Sequence, residues 1–184
     1  CAGRSARRPH RRRGGAGAMT PQEDRVGAYL TALGIAFEPH QHPPIATADE
    51  GEVYWSGMDA VHCKNLFLRN QKGSRHYLVI LAHTKRADLR AVADQIGDGK
   101  LSFASPDRLM KYLGVTPGSV SPFGLIHDHD HHVRVYLDRE LKQAPRISFH
   151  PNINTATFVL SYSDFERFLA SCENIVRYVD VSRG

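Results

Sequence analysis

The chain has 184 residues, of which 41% are hydrophobic and 23% charged. That is the size and composition of one globular domain able to enclose an apolar core without metal or disulfide support, and it excludes fibrous and wholly disordered classes. No apolar run reaches membrane-spanning length, and no secretory h-region is present, so no membrane partner is expected. The three cysteines, Cys1, Cys63 and Cys172, lie far apart and form neither a disulfide framework nor a CxxC metal site. That usage points to a reducing compartment and a cytoplasmic protein.

The net charge of +5 is unevenly spread. Residues 1–18 carry six arginines and no acid; without them, 18 basic residues stand against 19 acidic ones, a net of −1. The basic character therefore belongs to an N-terminal arm. Such an arm can grip phosphates or act as a transit peptide, but it reads first as a disordered extension ahead of Met19. Residues 19–184 read as the folded domain.

In chain order, Thr20-Pro21-Gln22-Glu23 combines an N-cap, a proline at the first helical position and a capping-box glutamate. Val26, Tyr29, Leu30 and Leu33 follow at helical spacing, and Gly34 ends the helix. Thr47 to Glu50 repeats the capping box for a shorter helix ending near Gly57. A third helix is expected over 88–96, stopped by Gly97, and a fourth from Ser105-Pro106 to Gly114. A last one after Ser163 buries Phe165, Phe168 and Leu169. Strand-like runs occupy 37–40, 63–69, 76–81, 124–127, 133–137, 147–150, 155–160 and 176–181. Polar turns at 70–73 and 128–131 are expected to close hairpins. Hairpins with scattered helices give an α+β domain around a strongly curled, barrel-like mixed sheet flanked by helices.

Among residues that could carry chemistry, His127-Asp128-His129-Asp130-His131-His132 offers six potential metal ligands in a row. Consecutive residues on a tight turn splay apart, so a solvated turn is the better reading and no native metal is expected. There is no GxSxG elbow, P-loop or dinucleotide fingerprint, and no cofactor is implied. Cys63 neighbours Lys64, but alternation along a strand separates their side chains, and an inert cysteine is expected. In KNLFL the apolar groups fall on both faces, marking an interior strand. Lys64 shares a face with Leu66 and Leu68 at the start of that strand. From the residues alone it is either a snorkelling lysine or one at the mouth of a cavity.

The strings HCKNLFLRN (62–70), KRADL (85–89), GDGKLSFAS (97–105), LGVTPGSVSPFGLI (113–126) and SFHPNINTAT (148–157) together resemble one family. It is the YbaK-type aminoacyl-tRNA deacylases, the domain also found within or associated with prolyl-tRNA synthetase. The resemblance covers 20–181 and is strongest to the free-standing editing proteins that clear alanine from proline tRNA. The family's lysine falls on Lys64 with Asn65 beside it. Its FHPxxN signature falls on Phe149, His150, Pro151 and Asn154, and its glycine-rich loop on residues 117–124.

The resemblance implies a hydrolase acting on an ester between an amino acid and the terminal ribose of tRNA. The acceptor end of proline tRNA is then the partner, with prolyl-tRNA synthetase a further one. An ester needs positioning, a water and stabilisation of the oxyanion. Lys64 is assigned an electrostatic and orienting role, with the ribose 2′-hydroxyl assisting attack. His150 is either a proton shuttle or a structural histidine. Gly118 and Gly124 would permit close backbone approach, with the Gly118 and Ser119 amides as oxyanion or acyl contacts. Asn65, Asn154 and Ile45 are assigned to substrate binding, Ile45 as a pocket wall, and Lys100 to tRNA. Specificity would follow from pocket size, since a proline site cannot strongly reject alanine by binding alone. Cysteine is the alternative edited group. A non-catalytic tRNA- or DNA-binding module and a metal-dependent hydrolase using 127–132 are the competing classes.

Overall fold

The computed structural model describes residues 18–45 and 48–182. The arm and Thr47, with its expected capping box, lie outside the described residues. Helix α1 (Pro21–Ala32) begins as the sequence expects: the Thr20 hydroxyl accepts from Glu23 N–H, and the Glu23 carboxylate accepts from Thr20 N–H at 2.8 Å. Glu23 is fully buried and also accepts from Gln41, tying the helix start to strand β1 (Glu38–Gln41). There follow α2 (Ala48–Trp55), β2 (Val61–Arg69), β3 (His76–Ala82), α3 (Leu89–Ile96), β4 (Ser102–Phe103) and α4 (Pro106–Leu113). After a 3-10 helix (Pro122–His127) come β5 (Val133–Asp138), a second 3-10 turn (Arg139–Gln143), β6 (Arg146–Phe149), β7 (Ala156–Ser161), α5 (Tyr162–Ser171) and β8 (Val176–Val179).

The strands form one mixed sheet in the order β1-β7-β6-β2-β3-β5-β8, with β4 also pairing with β2. The sheet is α+β in setting, as expected, but its path is open, so the curl does not close a barrel. Strand β3 lies inside the sheet, between β2 and β5. Leu78 and Ile80 enter the larger core, with Val26 and Leu30 of α1, Leu109 and Leu113 of α4, and Phe165 and Phe168 of α5. Tyr77, Val79 and Leu81 face a smaller core under Val92 and Ala93 of α3. A strand buried on both faces carries the continuous apolar run seen at 77–81.

Three expectations are corrected. Residues 124–127 are not a strand. Ser121 caps the 3-10 helix by accepting from Phe123 N–H, and Pro122 sits at its start, the same Ser-Pro signal that opens α4. The turn at 128–131 therefore leads from that helix into β5 and closes no hairpin, whereas 70–73 does join β2 to β3. Helix α5 is capped by Ser161, not Ser163, because its hydroxyl reaches Asp164 N–H and buries Tyr162. The short β4 went unread. No helix among the described residues is long and apolar enough to cross a membrane.

His76, fully buried at the start of β3, lies between Arg108 and His132. A guanidinium only donates, so His76 Nε2 accepts at 2.7 Å and Nδ1–H donates to His132 Nε2 at 2.8 Å. Burial, then the His132 and Arg108 charges, hold its pKa down to about 4. The folded state thus keeps His76 neutral where an unfolded chain takes a proton. Its contribution is intact above the ordinary histidine range and is lost as pH falls from about 6.5 towards 4. We expect the urea midpoint to drop between pH 7.5 and 5, and to drop less in His76→Gln. A midpoint indifferent to pH in this window contradicts the buried neutral ring.

Candidate active site

One edge of β2 carries two separate ladders. β6 runs parallel to its first residues, Val61 opposite Ile147 and His62 opposite Ser148, and β4 pairs with Leu68 and Arg69 at its end. Residues 63–66 lie between these ladders. β6 leaves the sheet because Pro151 has no N–H and holds His150 extended. Lys64 lies two residues past the last ladder pair, His62 opposite Ser148. Side-chain alternation puts His62, Lys64, Leu66 and Leu68 on one face and Cys63, Asn65 and Phe67 on the other. Leu68 lies in the smaller core and Phe67 in the larger one, in agreement with that alternation.

Lys64 is half-buried and makes no hydrogen bond or ion pair among the described residues. Burial lowers its pKa from the ordinary lysine value, and the nearby charge of Arg86 lowers it further. Lys85, by contrast, is spent on structure, paired with buried Asp138 at 2.7 Å and with Glu140 at 3.0 Å. Cys63, on the opposite face from Lys64, has its thiol pKa pushed up by burial, then by Asp138, as an inert cysteine would.

Asn65 Nδ2–H donates to Val120 O at 3.1 Å and holds the 116–121 loop against β2; its Oδ1 is buried without a partner among the described residues. In that loop Gly118 adopts φ +87°, which favours glycine, and a Cβ there would lie 3.8 Å from Asn154 Nδ2. Asn154 and Ile45 clamp each other: Ile45 N–H donates to Asn154 O at 3.2 Å, and Asn154 Nδ2–H to Ile45 O at 3.3 Å. Contacts thus bring Asn65, Gly118, Ser119, Asn154 and Ile45 together around the loop.

His150 Nδ1–H donates to Ala156 O at 2.8 Å, which leaves Nε2 as the bare nitrogen of the neutral ring. Burial lowers its pKa, so the ring is neutral at pH 7. Around it stand residues that sequence reading missed. Its ring lies 5.7 Å from His42 and 6.4 Å from Trp55, the only tryptophan of the chain. Trp55 stacks on His62 at 5.0 Å and meets His83 edge-on at 5.5 Å. Trp55 Nε1–H donates to Thr157 Oγ1, whose hydroxyl donates to His42 Nε2, while His42 Nδ1–H donates to Pro43 O. Burial, then His83, brings the His62 pKa down to about 4. The available signal was His62 immediately before CKN and His42 in QHPP, but nothing in one dimension joins them.

Other sequence assignments are placed elsewhere. Gly124 packs against α4, where a Cβ would sit 2.8 Å from Leu113 Cβ and 2.9 Å from its carbonyl oxygen. Its lack of a side chain serves packing, not ligand approach. The Ser119 amide donates to Thr116 O at 3.1 Å and is occupied by the turn. Lys100 lines a cavity of about 480 Å³ beside α3, beyond β4. It is about seven strand positions from Lys64, or roughly 20 Å. The residues at 127–132 diverge: Asp128 accepts from Val133 N–H and Asn174, His131 donates to Cys172 O, and His132 joins His76. Among the described residues no three His, Cys, Asp or Glu side chains are arranged to hold a metal ion. For the loop anchor, Asn65→Ala should lower the unfolding free energy by about 1 kcal/mol and speed hydrogen exchange at the Ser119 amide. An unchanged exchange rate would show that Asn65 does not hold the loop.

The aminoacyl-tRNA editing domain family matches residues 42–168. The prolyl-tRNA editing protein ProX of Acetoanaerobium sticklandii is 41% identical over 157 residues, covering 85% of this chain and 95% of that protein. The prolyl-tRNA synthetase associated domain-containing protein 1 of Bos taurus is 33% identical over 144 residues, covering 76% and 84%. A solved structure described as a candidate trans-editing enzyme for prolyl tRNA synthetase superposes with a TM-score of 0.69. At 23% identity, over 91% of this chain and all of that one, it shows a shared fold. The chain belongs to the aminoacyl-tRNA editing domain family.

Proposed function

We propose that this chain is a trans-editing hydrolase that cleaves the ester of a small amino acid, alanine foremost, from mischarged proline tRNA. As a member of the editing family it is an aminoacyl-tRNA deacylase, and the similarity to a prolyl-tRNA editing protein supports proline tRNA as its substrate. The observation that carries the reading is Lys64: a half-buried cation without a protein partner among the described residues, with Arg86 as a second positive charge nearby. Like charges held close favour the arrival of an anion, here the phosphate of the terminal adenosine or the oxyanion formed on attack. An anion there restores the stabilisation that burial removes from the ammonium. Lys64 thus orients and stabilises, and does not act as a base.

His150 is the proton carrier in this reading. Its tautomer is set by Ala156 O, so Nε2 can take a proton from water or from the ribose 2′-hydroxyl and return it to the departing oxygen. The Gly118 amide, without a protein acceptor among the described residues, is a backbone donor of the loop, whereas Ser119 N–H is engaged. Ile45, fixed by its clamp with Asn154, forms a wall that admits a methyl side chain and crowds a pyrrolidine ring. The substrate is made in the cytoplasm, where we place the protein, with prolyl-tRNA synthetase as the supplier of the error.

Hydrolysis of alanyl-, cysteinyl- and prolyl-charged proline tRNA tests the reading. We expect alanyl ester to be cleaved fastest and prolyl ester spared, with Lys64→Ala about 100-fold slower at unchanged thermal stability. Faster cleavage of cysteinyl ester would reassign the edited group. Hydrolysis by neither the wild type nor Lys64→Ala would leave a binding module, and loss of activity on chelation would point to metal chemistry. A second outcome concerns pH. Because His150 is held below the ordinary histidine value, the acid limb of kcat/KM should fall below pH 6.5 and disappear in His150→Ala. A limb at or above 6.5 would exclude His150 as the proton acceptor.

A further inference from the structure

Helix α2 carries a glycine in its middle. After proline, glycine is the residue least suited to a helix interior, and no positive φ requires it at Gly51. The requirement comes from Trp55, one turn further on. Helix side chains lean towards the N-terminus, so residues four apart share a face, and the indole lies back along its own helix. A Cβ on Gly51 would sit 2.5 Å from Trp55 Cζ3 and 2.6 Å from Cζ2, with Cη2 nearer still. Any side chain at 51 would therefore drive the indole away from α2.

The other neighbours of the ring hold it where it lies. It stacks on His62 at 5.0 Å with 13° between the planes, and it meets His83 edge-on at 5.5 Å. Its Nε1–H donates to Thr157 Oγ1. Strands β2 and β7 and a glycine of its own helix thus fix the indole, and only 9% of Trp55 is exposed. A size filter needs an immobile surface of this kind, because a wall that yields excludes nothing.

The wall stands beside the reacting centre. His62 precedes Lys64 by two residues on one face of β2, so the indole lies on the face that carries the ammonium. Its ring centre is 6.4 Å from that of His150, whose Nε2 is bare. An ester held by Lys64 and His150 therefore has Trp55 as a neighbour. We propose that Trp55 is a second wall of the acyl pocket, beside Ile45, and that Gly51 sets how far the indole is withdrawn and so how large a side chain is admitted. A pyrrolidine ring brings two more carbons than a methyl side chain, and each carbon that meets a fixed wall costs about tenfold or more in discrimination. The proposal rests on the deacylase reading for the identity of the acyl group, but not for its test.

Because Trp55 is the only tryptophan of the chain, its emission reports on this wall directly. The probes are 3′-amino-3′-deoxyadenosines acylated with glycine, alanine or proline, whose amides bind without being hydrolysed. The alanyl amide should shift the emission, and the unacylated nucleoside should leave it unmoved. Gly51→Ala improves the helix and so should fold, but it pushes the indole into the pocket. It should weaken binding of the alanyl amide about tenfold and spare the glycyl amide, which has no side chain to collide. In Trp55→Leu, followed by calorimetry, the prolyl amide should gain about tenfold on the alanyl one, with Trp55→Phe between. Gly51→Ala alone decides if Trp55→Leu does not fold. An emission unmoved by the alanyl amide overturns the proposal, as does one shifted equally by the bare nucleoside. So do affinities that Gly51→Ala changes alike for the glycyl and alanyl amides. Wild-type hydrolysis of alanyl-charged proline tRNA, run in parallel, reports separately on the deacylase reading: amide binding graded by size in this way, without cleavage, would refute that reading and uphold the wall.

Discussion

The site depends on where β6 stops. Two ladder pairs join it to β2, and then His150-Pro151 turns the chain away because proline can neither donate to the ladder nor let the residue before it coil. Had β6 continued, the residues following Ser148 would have covered residues 63–66 of β2. Instead the turn folds over Asn152 and Asn154 and returns as β7, and the 116–121 loop reaches the same edge and is fastened by Asn65. An interior strand, rigid because β3 holds its other edge over seven residue pairs, is thereby given a short length at which a ligand can approach. Lys64 and Asn65 sit there side by side and face opposite ways.

Charge and proton-accepting capacity are kept apart around that edge. Four imidazoles, of His42, His62, His83 and His150, gather round Trp55, and those whose pKa is displaced are displaced downwards by burial. Hydrogen bonds fix the tautomers of His42 and His150 through acceptors that can be nothing else, the carbonyls of Pro43 and Ala156. The His62 and His150 rings, kept neutral by burial, accept protons but bring no positive charge at neutral pH. Cationic charge comes instead from Lys64 and Arg86. An ester reaction needs both functions, and separate residues keep them from cancelling each other through repulsion.

Local signals in the sequence told most about the fold. The Thr20 and Ser105-Pro106 starts and the Gly97 and Gly114 stops specify α1, α3 and α4 because capping is decided within four residues. The same local chemistry, underweighted at Ser121-Pro122, misplaced a strand on 124–127; an apolar FGLI run satisfies either a strand or a buried 3-10 turn, and only Leu113 pressed against Gly124 selects the second. Lys64 was legible as an interior-strand lysine. The surrounding cluster was not, because His42, Trp55, His62, His83, His150 and Thr157 come from separate segments that meet only through sheet pairing. Lys100, although near a family motif, follows β4 away from the site, since an antiparallel pairing runs it past the far end of β2.

In the proposed function Lys64 is a partly desolvated cation that an arriving anion neutralises. Nitrogen-detected NMR titration of its ammonium group, with and without adenosine 5′-monophosphate, tests this directly. We expect a pKa below the ordinary lysine value in the free protein and an upward shift when the nucleotide is added. An ordinary value that the nucleotide leaves unmoved would contradict it.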